Sequence, residues 1–193
     1  MRVALLFTAC VAGLAAAAAV TGPVDYPRSN VGFIATLDGA DFEGRFDKFR
    51  ADVTFSEQDL AGSRFDVTIE TASVNTQDED RDEQLRAPQL FDAKKYPQAR
   101  FLSTSFARKA PGSYEAVGKL TIRDVTREIR VPFTYQSANE AGKPSAWIKG
   151  QTTIRRLDFG VGQDEWKETD FVANEVRIVF ALHLAPAAAA PPK

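Results

Sequence analysis

Thr76–Phe101, TQDEDRDEQLRAPQLFDAKKYPQARF, is the one stretch beyond the N-terminal leader that does not read as β-strand or turn. Thr76 and Glu79 have the spacing of a capping box, in which two side chains satisfy the orphan amides of a first helical turn. A short acidic helix is expected to start there. Pro88 lacks the amide that would continue it, and Pro97 biases Tyr96 towards extended backbone, so a strand should resume near Ala99. The segment reads as a lid-like insertion between two halves of a sheet, at the mouth of a barrel.

Everything around it alternates with period two, the mark of half-buried strands. On the N-terminal side, Phe65, Val67 and Ile69 alternate with Asp66, Thr68 and Glu70, after a capped turn at Ser56–Asp59. Before that, Phe49, Ala51, Val53 and Phe55 share a face while Phe46 is out of phase by one, which calls for a bulge at Asp47–Lys48. Asp38-Gly39 is a hairpin signal, and Val31, Phe33, Ala35 and Leu37 share a face of the first strand, Val24–Leu37. On the C-terminal side the strands are Ala99–Ala107, Tyr114–Ile122, Val125–Tyr135, Ala146–Leu157 and Phe171–Leu184, separated by Pro111-Gly112, Arg123-Asp124, a polar loop and a glycine turn at Phe159–Gly162. Pro132 falls opposite Val131 and Phe133 and marks a weakly paired site. The count is eight strands, with the helical insertion between the third and fourth. An all-β, antiparallel up-and-down barrel follows, because closure removes exposed edges. A barrel of that size is filled by side chains or holds one small ligand, and alternation alone leaves both open. Small residues on the inward faces, Ser103, Ala116, Gly118, Gly150 and Thr152, permit a hollow.

Met1-Arg2, the apolar run Val3–Leu14 and the alanines up to Ala19 form a secretory signal peptide, so residues 1–19 are a leader to be cleaved, 20–184 the barrel domain and 185–193 an alanine–proline tail without periodicity. The one cysteine, Cys10, belongs to the leader, so the mature chain offers no disulfide, thiolate nucleophile or thiolate metal site. A net charge of −2 without a basic patch gives nucleic acid no footprint. The one histidine, His183, lies opposite Leu182 and Leu184 and reads as a surface residue, which leaves no Ser-His-Asp arrangement. Acidic clusters at Asp78–Glu83 and Asp164-Glu165 read as solvated helix ends, and Gly160-x-Gly162 is too short to cradle a phosphate. No catalytic residue, metal ligand or catalytic cofactor is assigned, so the chain reads as a binding protein rather than an enzyme.

Several spaced groups carry a family likeness. They are Asp25-x-x-x-Ser29-x-Val31-x-Phe33, Gly44-x-Phe46-x-x-Phe49, Ser73-x-x-Thr76 with Arg81-Asp82-x-x-Leu85, and Leu90-Phe91-Asp92-x-x-x-Tyr96-Pro97-x-x-x-Phe101-x-Ser103. Gly118-x-Leu120-Thr121-Ile122-x-x-Val125-Thr126-Arg127, Arg156-x-Asp158-Phe159-Gly160 and Val176-x-Ile178 continue the same order. Together they resemble the YceI family of periplasmic polyisoprenoid-binding proteins, across about Val24–Leu184. The resemblance implies a lipocalin-like barrel around an elongated apolar tunnel, a polyisoprenoid lipid or isoprenoid quinone as ligand, and a periplasmic location. Arg28 and Gln84 stand where the family often has histidine, so no histidine role is carried over. Gly162–Trp166 resembles the variant that accompanies a membrane cytochrome of the b561 type, a hint of a partner. The oligomeric state, a homodimer included, is left open.

On this reading the tunnel is lined by Phe33, Val53, Phe55, Val67, Ile69 and Phe101 from the first half of the chain. Leu120, Ile122, Val131, Phe133, Ile148, Ile178 and Phe180 line it from the second. Arg81 and Asp82 are the candidate mouth residues, with a structural ion pair or helix anchor favoured over a head-group contact. The alternative is a filled barrel without a lipid, acting in stress protection or docking.

Overall fold

A computed structural model describes residues 22–186; the leader, Cys10 and most of the alanine–proline tail lie outside the described residues. Within them are β1 (Asn30–Leu37), β2 (Ala40–Phe46), β3 (Phe49–Thr54), β4 (Arg64–Glu70), β5 (Val74–Asn75), the helix α1 (Glu79–Arg86), β6 (Gln98–Ala110), β7 (Ser113–Ile122), β8 (Val125–Glu140), β9 (Lys143–Arg155) and β10 (Glu175–Leu184). All ten strands join one antiparallel sheet in the order β3-β4-β6-β7-β8-β9-β10-β1-β2-β5. The first long strand and the last are neighbours, with Asn30 opposite Ala181. β2 and β3 lie near opposite ends of that order yet are separated by two residues, so the sheet curls until its ends meet at Asp47–Lys48. There the Asp47 amide donates to Ser73 O at 3.0 Å and the Glu70 amide to Lys48 O at 3.0 Å.

The count of ten among the described residues replaces the expected eight. The second expected strand is cut at Asp47–Lys48, where the phase change between Phe46 and Phe49 demanded a break, and Val74–Asn75 adds a two-residue rung against Arg45–Phe46. The first strand is shorter than its alternation suggests, because Pro27 helps set a 3-10 turn at Tyr26–Arg28. Asp38 and Gly39 both have positive φ, 48° and 75°, the geometry of a tight hairpin that matches strand twist. Pro132 sits one residue before the β8–β9 register begins at Phe133 opposite Gly150, where its missing amide costs that ladder nothing.

The helix starts later than the capping-box spacing predicts. Asp78 is the N-cap, its carboxylate accepting from the Arg81 amide at 3.1 Å, and Gln77 has φ +61°, which no helix continues through. Thr76 serves another purpose: its hydroxyl and amide both donate to Asp82 Oδ1, each at 2.8 Å. The C-terminal end falls where Pro88 requires, and the following segment folds back under the helix through Phe91 N to Leu85 O and Ala93 N to Arg86 O.

His183 is a correction to the sequence reading. It is fully buried although it faces away from Leu182 and Leu184, because the segment before β1 lies over it. Its backbone donates to Ser29 Oγ and accepts from the Asp25 amide, its ring sits 4.8 Å from that of Trp147, and its Nε2 is 3.0 Å from Glu140 Oε1. Alternation assigned the face correctly but could not see what covers it.

Candidate ligand-binding site

The inward faces of the sheet change character along the barrel. At one end six aromatic rings meet: Phe55, Phe65, Phe106, Tyr114, Phe133 and Tyr135. Phe55 lies 4.9 Å from Tyr114 and from Tyr135, and Phe65 lies 4.9 Å from Phe106 and 5.1 Å from Phe133, mostly tilted or edge-on, the arrangements that ring quadrupoles favour. That end is filled. Tyr114 is buried within it, and its hydroxyl donates to Glu57; burial and that carboxylate raise its pKa to about 12.

The other end, under α1, is hollow. A cavity of ≈ 240 Å³ is walled by Phe33, Ala35 and Leu37 of β1, Phe42 and Phe46 of β2, and Val67 and Ile69 of β4. Phe101, Leu120, Ile122, Ile154, Val176 and Ile178 continue the wall from β6 to β10. The helix and its return segment add Leu85, Leu90 and Phe91, and the long connection between β9 and β10 adds Val161, Trp166, Phe171 and Val172. Phe171 is 53 % exposed, which places it at the mouth.

That connection is held by Arg156, only 4 % exposed. Its guanidinium donates to five backbone oxygens: Ala173 at 3.0 Å, Val161 at 3.1 Å, Trp166 at 2.6 Å, Val172 at 2.7 Å and Glu168 at 3.4 Å. Burial pushes its pKa down, but a guanidinium stays charged, and the carbonyl dipoles take the place of a carboxylate partner. The Asp38 amide to Phe171 O at 2.8 Å and the Ala173 amide to Thr36 O at 3.1 Å fasten the same connection to β1.

Seven of the residues expected in the tunnel line this cavity: Phe33, Val67, Ile69, Phe101, Leu120, Ile122 and Ile178. Val53, Phe55, Val131, Phe133 and Ile148 belong instead to the filled end, and Phe180 packs against its border. They share the inward face but lie at the wrong height, where aromatic side chains meet across the axis. Gly118 and Gly150, small residues that suggested space, are covered: a Cβ on Gly118 would stand 2.6 Å from the Phe101 ring, and one on Gly150 would stand 2.7 Å from the Phe180 ring. Leu37, Ile154 and Val176 were in phase and could have been assigned from alternation. Residues of α1 and its return segment carry no strand period, and the last strand, expected from Phe171, begins only at Glu175, which leaves Phe171 and Val172 in the connection.

Of the two mouth candidates, Arg81 lines the cavity, its guanidinium 4.5 Å from the Phe42 ring and paired with Asp78 at 3.1 Å. Asp82 is buried away from the cavity, bonded to Thr76 and 3.8 Å from Arg86. Of the ion pair or helix anchor expected at these two residues, the contacts are those of an anchor: they do not pair with each other, Arg81 holding the N-cap Asp78 and Asp82 holding Thr76. Among the described residues no group of His, Cys, Asp and Glu is arranged to hold a metal ion, and no helix is long and apolar enough to cross a membrane. What the site offers is hydrocarbon surface with Arg81 and Gln84 at its rim.

Curated relatives with similar sequences include a UPF0312 protein of Vibrio parahaemolyticus, 31% identical over 121 residues, which are 62% of this chain and 64% of that protein. Another, from Yersinia enterocolitica, is 33% identical over 123 residues, 63% of this chain and 64% of that protein. The chain thus matches less than two thirds of these relatives' length. Among solved structures, Burkholderia cenocepacia BcnA superposes with a TM-score of 0.79 at 36% identity, over 84% of this chain and 99% of that one. The Campylobacter jejuni YCEI protein gives 0.70 at 25% identity, over 78% and 87%. A polyisoprenoid binding domain from Saccharophagus degradans shares the fold, with a TM-score of 0.64 at 17% identity over 86% and 99%. A YceI-like domain matches residues 23–184, and the chain belongs to that family.

Proposed function

We propose that the protein binds an isoprenoid lipid, a polyprenyl chain or an isoprenoid quinone, with the apolar tail in the cavity under α1, and carries it in the periplasm. The observation that supports this reading is the hydrocarbon-lined cavity of ≈ 240 Å³, open at its mouth, beside a filled aromatic end. Burying apolar surface is worth about 0.8 kcal/mol per methylene, so about ten carbons, two isoprene units, supply the roughly 8 kcal/mol of a micromolar site. A partly exposed ion pair at the rim adds only about 0–1 kcal/mol, so the tail sets affinity and Arg81 and Gln84 set the orientation of the head. The likeness to a polyisoprenoid binding domain agrees with this ligand class. The leader read from residues 1–19 supports export, and the Gly162–Trp166 stretch suggests a membrane cytochrome of the b561 type as the partner that exchanges the lipid.

Native mass spectrometry of protein purified from its own periplasm, followed by solvent extraction, tests the reading. An isoprenoid is expected in the wild type, absent from a folded Ile122→Asp variant and retained in Phe133→Leu. Protein that carries no lipid and binds none when offered it returns the function to the lipid-free alternative.

A further inference from the structure

Four side chains lie at the boundary between the hollow and the filled end. Val67, Phe101, Ile129 and Phe180 are partly buried and pack against the aromatic cluster, and Val67 and Phe101 also face the cavity. Three of them lie between a residue of the filled end and one nearer the cavity on their own strand: Phe65 and Ile69 around Val67, Phe106 and Ala99 around Phe101, Leu182 and Ile178 around Phe180. The two phenylalanines seat in this layer against glycines of the neighbouring strands. A Cβ at Gly118 or Gly150 would clash with the rings of Phe101 and Phe180, which lie against β7 and β9.

From this layer we infer that the protein measures its ligand, and that Phe101 is the residue that sets the length: the cavity takes a short isoprenoid tail, or only the terminal units of a long one. This rests on the isoprenoid reading above. At about 12–30 Å³ for each water-sized group, ≈ 240 Å³ admits roughly eight to twenty heavy atoms, about two to four five-carbon units. A tail that reaches Phe101 meets the aromatic cluster packed against it, and every further unit stays outside the mouth. Affinity therefore stops rising with chain length once the cavity is full, since only carbons removed from water contribute.

The test is a series of all-trans prenols of two, three, four and eight isoprene units, titrated against the full mature protein loaded with an environment-sensitive apolar fluorophore. For the wild type the displacement constants tighten up to three or four units and are then level to eight. Truncating the side chain in Phe101→Ala moves the level part to a longer prenol, which gains about tenfold or more relative to the shortest. Val67→Ala, a smaller deletion in the same layer, gives the same shift to a lesser degree and serves if Phe101→Ala does not fold. Wild-type affinity that climbs steadily through eight units, or a level part that neither substitution moves, overturns the length limit and leaves the isoprenoid reading intact. Failure to bind a prenol of any length overturns both.

Discussion

Phe33 of β1 lies across Gly44 of β2, and its ring occupies the space that a Cβ on that glycine would need. Alanine at 44 must push the ring, and the open side is the cavity. Gly44→Ala is expected to cost about 1–3 kcal/mol, as overfilling a core does, and to weaken binding of an apolar fluorophore at the same time. Thermal unfolding combined with fluorophore titration checks both, and a variant as stable and as receptive as the wild type would show that the ring has room elsewhere.

The two ends of the barrel should answer differently to truncation. Phe133 is enclosed by rings, and Phe133→Ala is expected to cost about 3–5 kcal/mol. Leu120 has the hollow on one side, so Leu120→Ala should fall near the bottom of the range for buried leucines, about 2 kcal/mol, and enlarge the cavity. Urea denaturation of both variants gives the comparison; equal losses would mean that the hollow is filled or collapsed in solution.

Arg156→Met removes the five guanidinium hydrogen bonds that brace the connection between β9 and β10, leaving the buried carbonyl of Val161 and the part-buried carbonyls of Trp166, Glu168, Val172 and Ala173 without them. Each orphaned group costs about 1–3 kcal/mol unless the segment moves out to water, so the connection should open. Limited proteolysis between residues 161 and 173 is expected to quicken. Arg156→Lys should rescue little, because three donors on a point charge do not reproduce a planar fork.

Tyr114 makes stability fall at high pH. Its pKa is about 12 in the folded chain against an ordinary value of about 10, so the unfolded chain loses the proton first and gains in relative stability as pH rises. The stabilisation from the raised pKa is fully present below about pH 10 and is lost between about 10 and 12. Tyr114→Phe lacks this dependence. Melting curves of both proteins from pH 9 to 12 should converge across that window, and parallel curves would remove Tyr114 as the cause.

Alternation in Phe65-Val67-Ile69 or Ile129-Val131-Phe133 identifies inward residues because successive side chains point to opposite faces. It carries no information on height. Ile122 and Phe133 therefore look alike in the sequence, although one faces a hollow and the other a stack of rings. The same blindness to what lies across a face hid the burial of His183. The lid segment was legible from its prolines and acidic run, yet its start was displaced because Asp78 competed with Thr76 for the cap. Leu85, Phe91 and Trp166 lie in segments with no strand period, and Phe171, expected as the start of the last strand, falls in the connection before β10, so alternation did not mark them as walls of the site.

The pairing of β1 with β10 has a consequence for how the molecule is made. Asn30 must wait for Ala181, so ring closure is among the most sequence-distant events available to this chain and comes after nearly all of it has emerged. Until then both flanking strands, β1 and β9, present bare amides and carbonyls to any passing segment. A chain stopped short of residue 175 would therefore be a sticky, half-wrapped sheet rather than a smaller container.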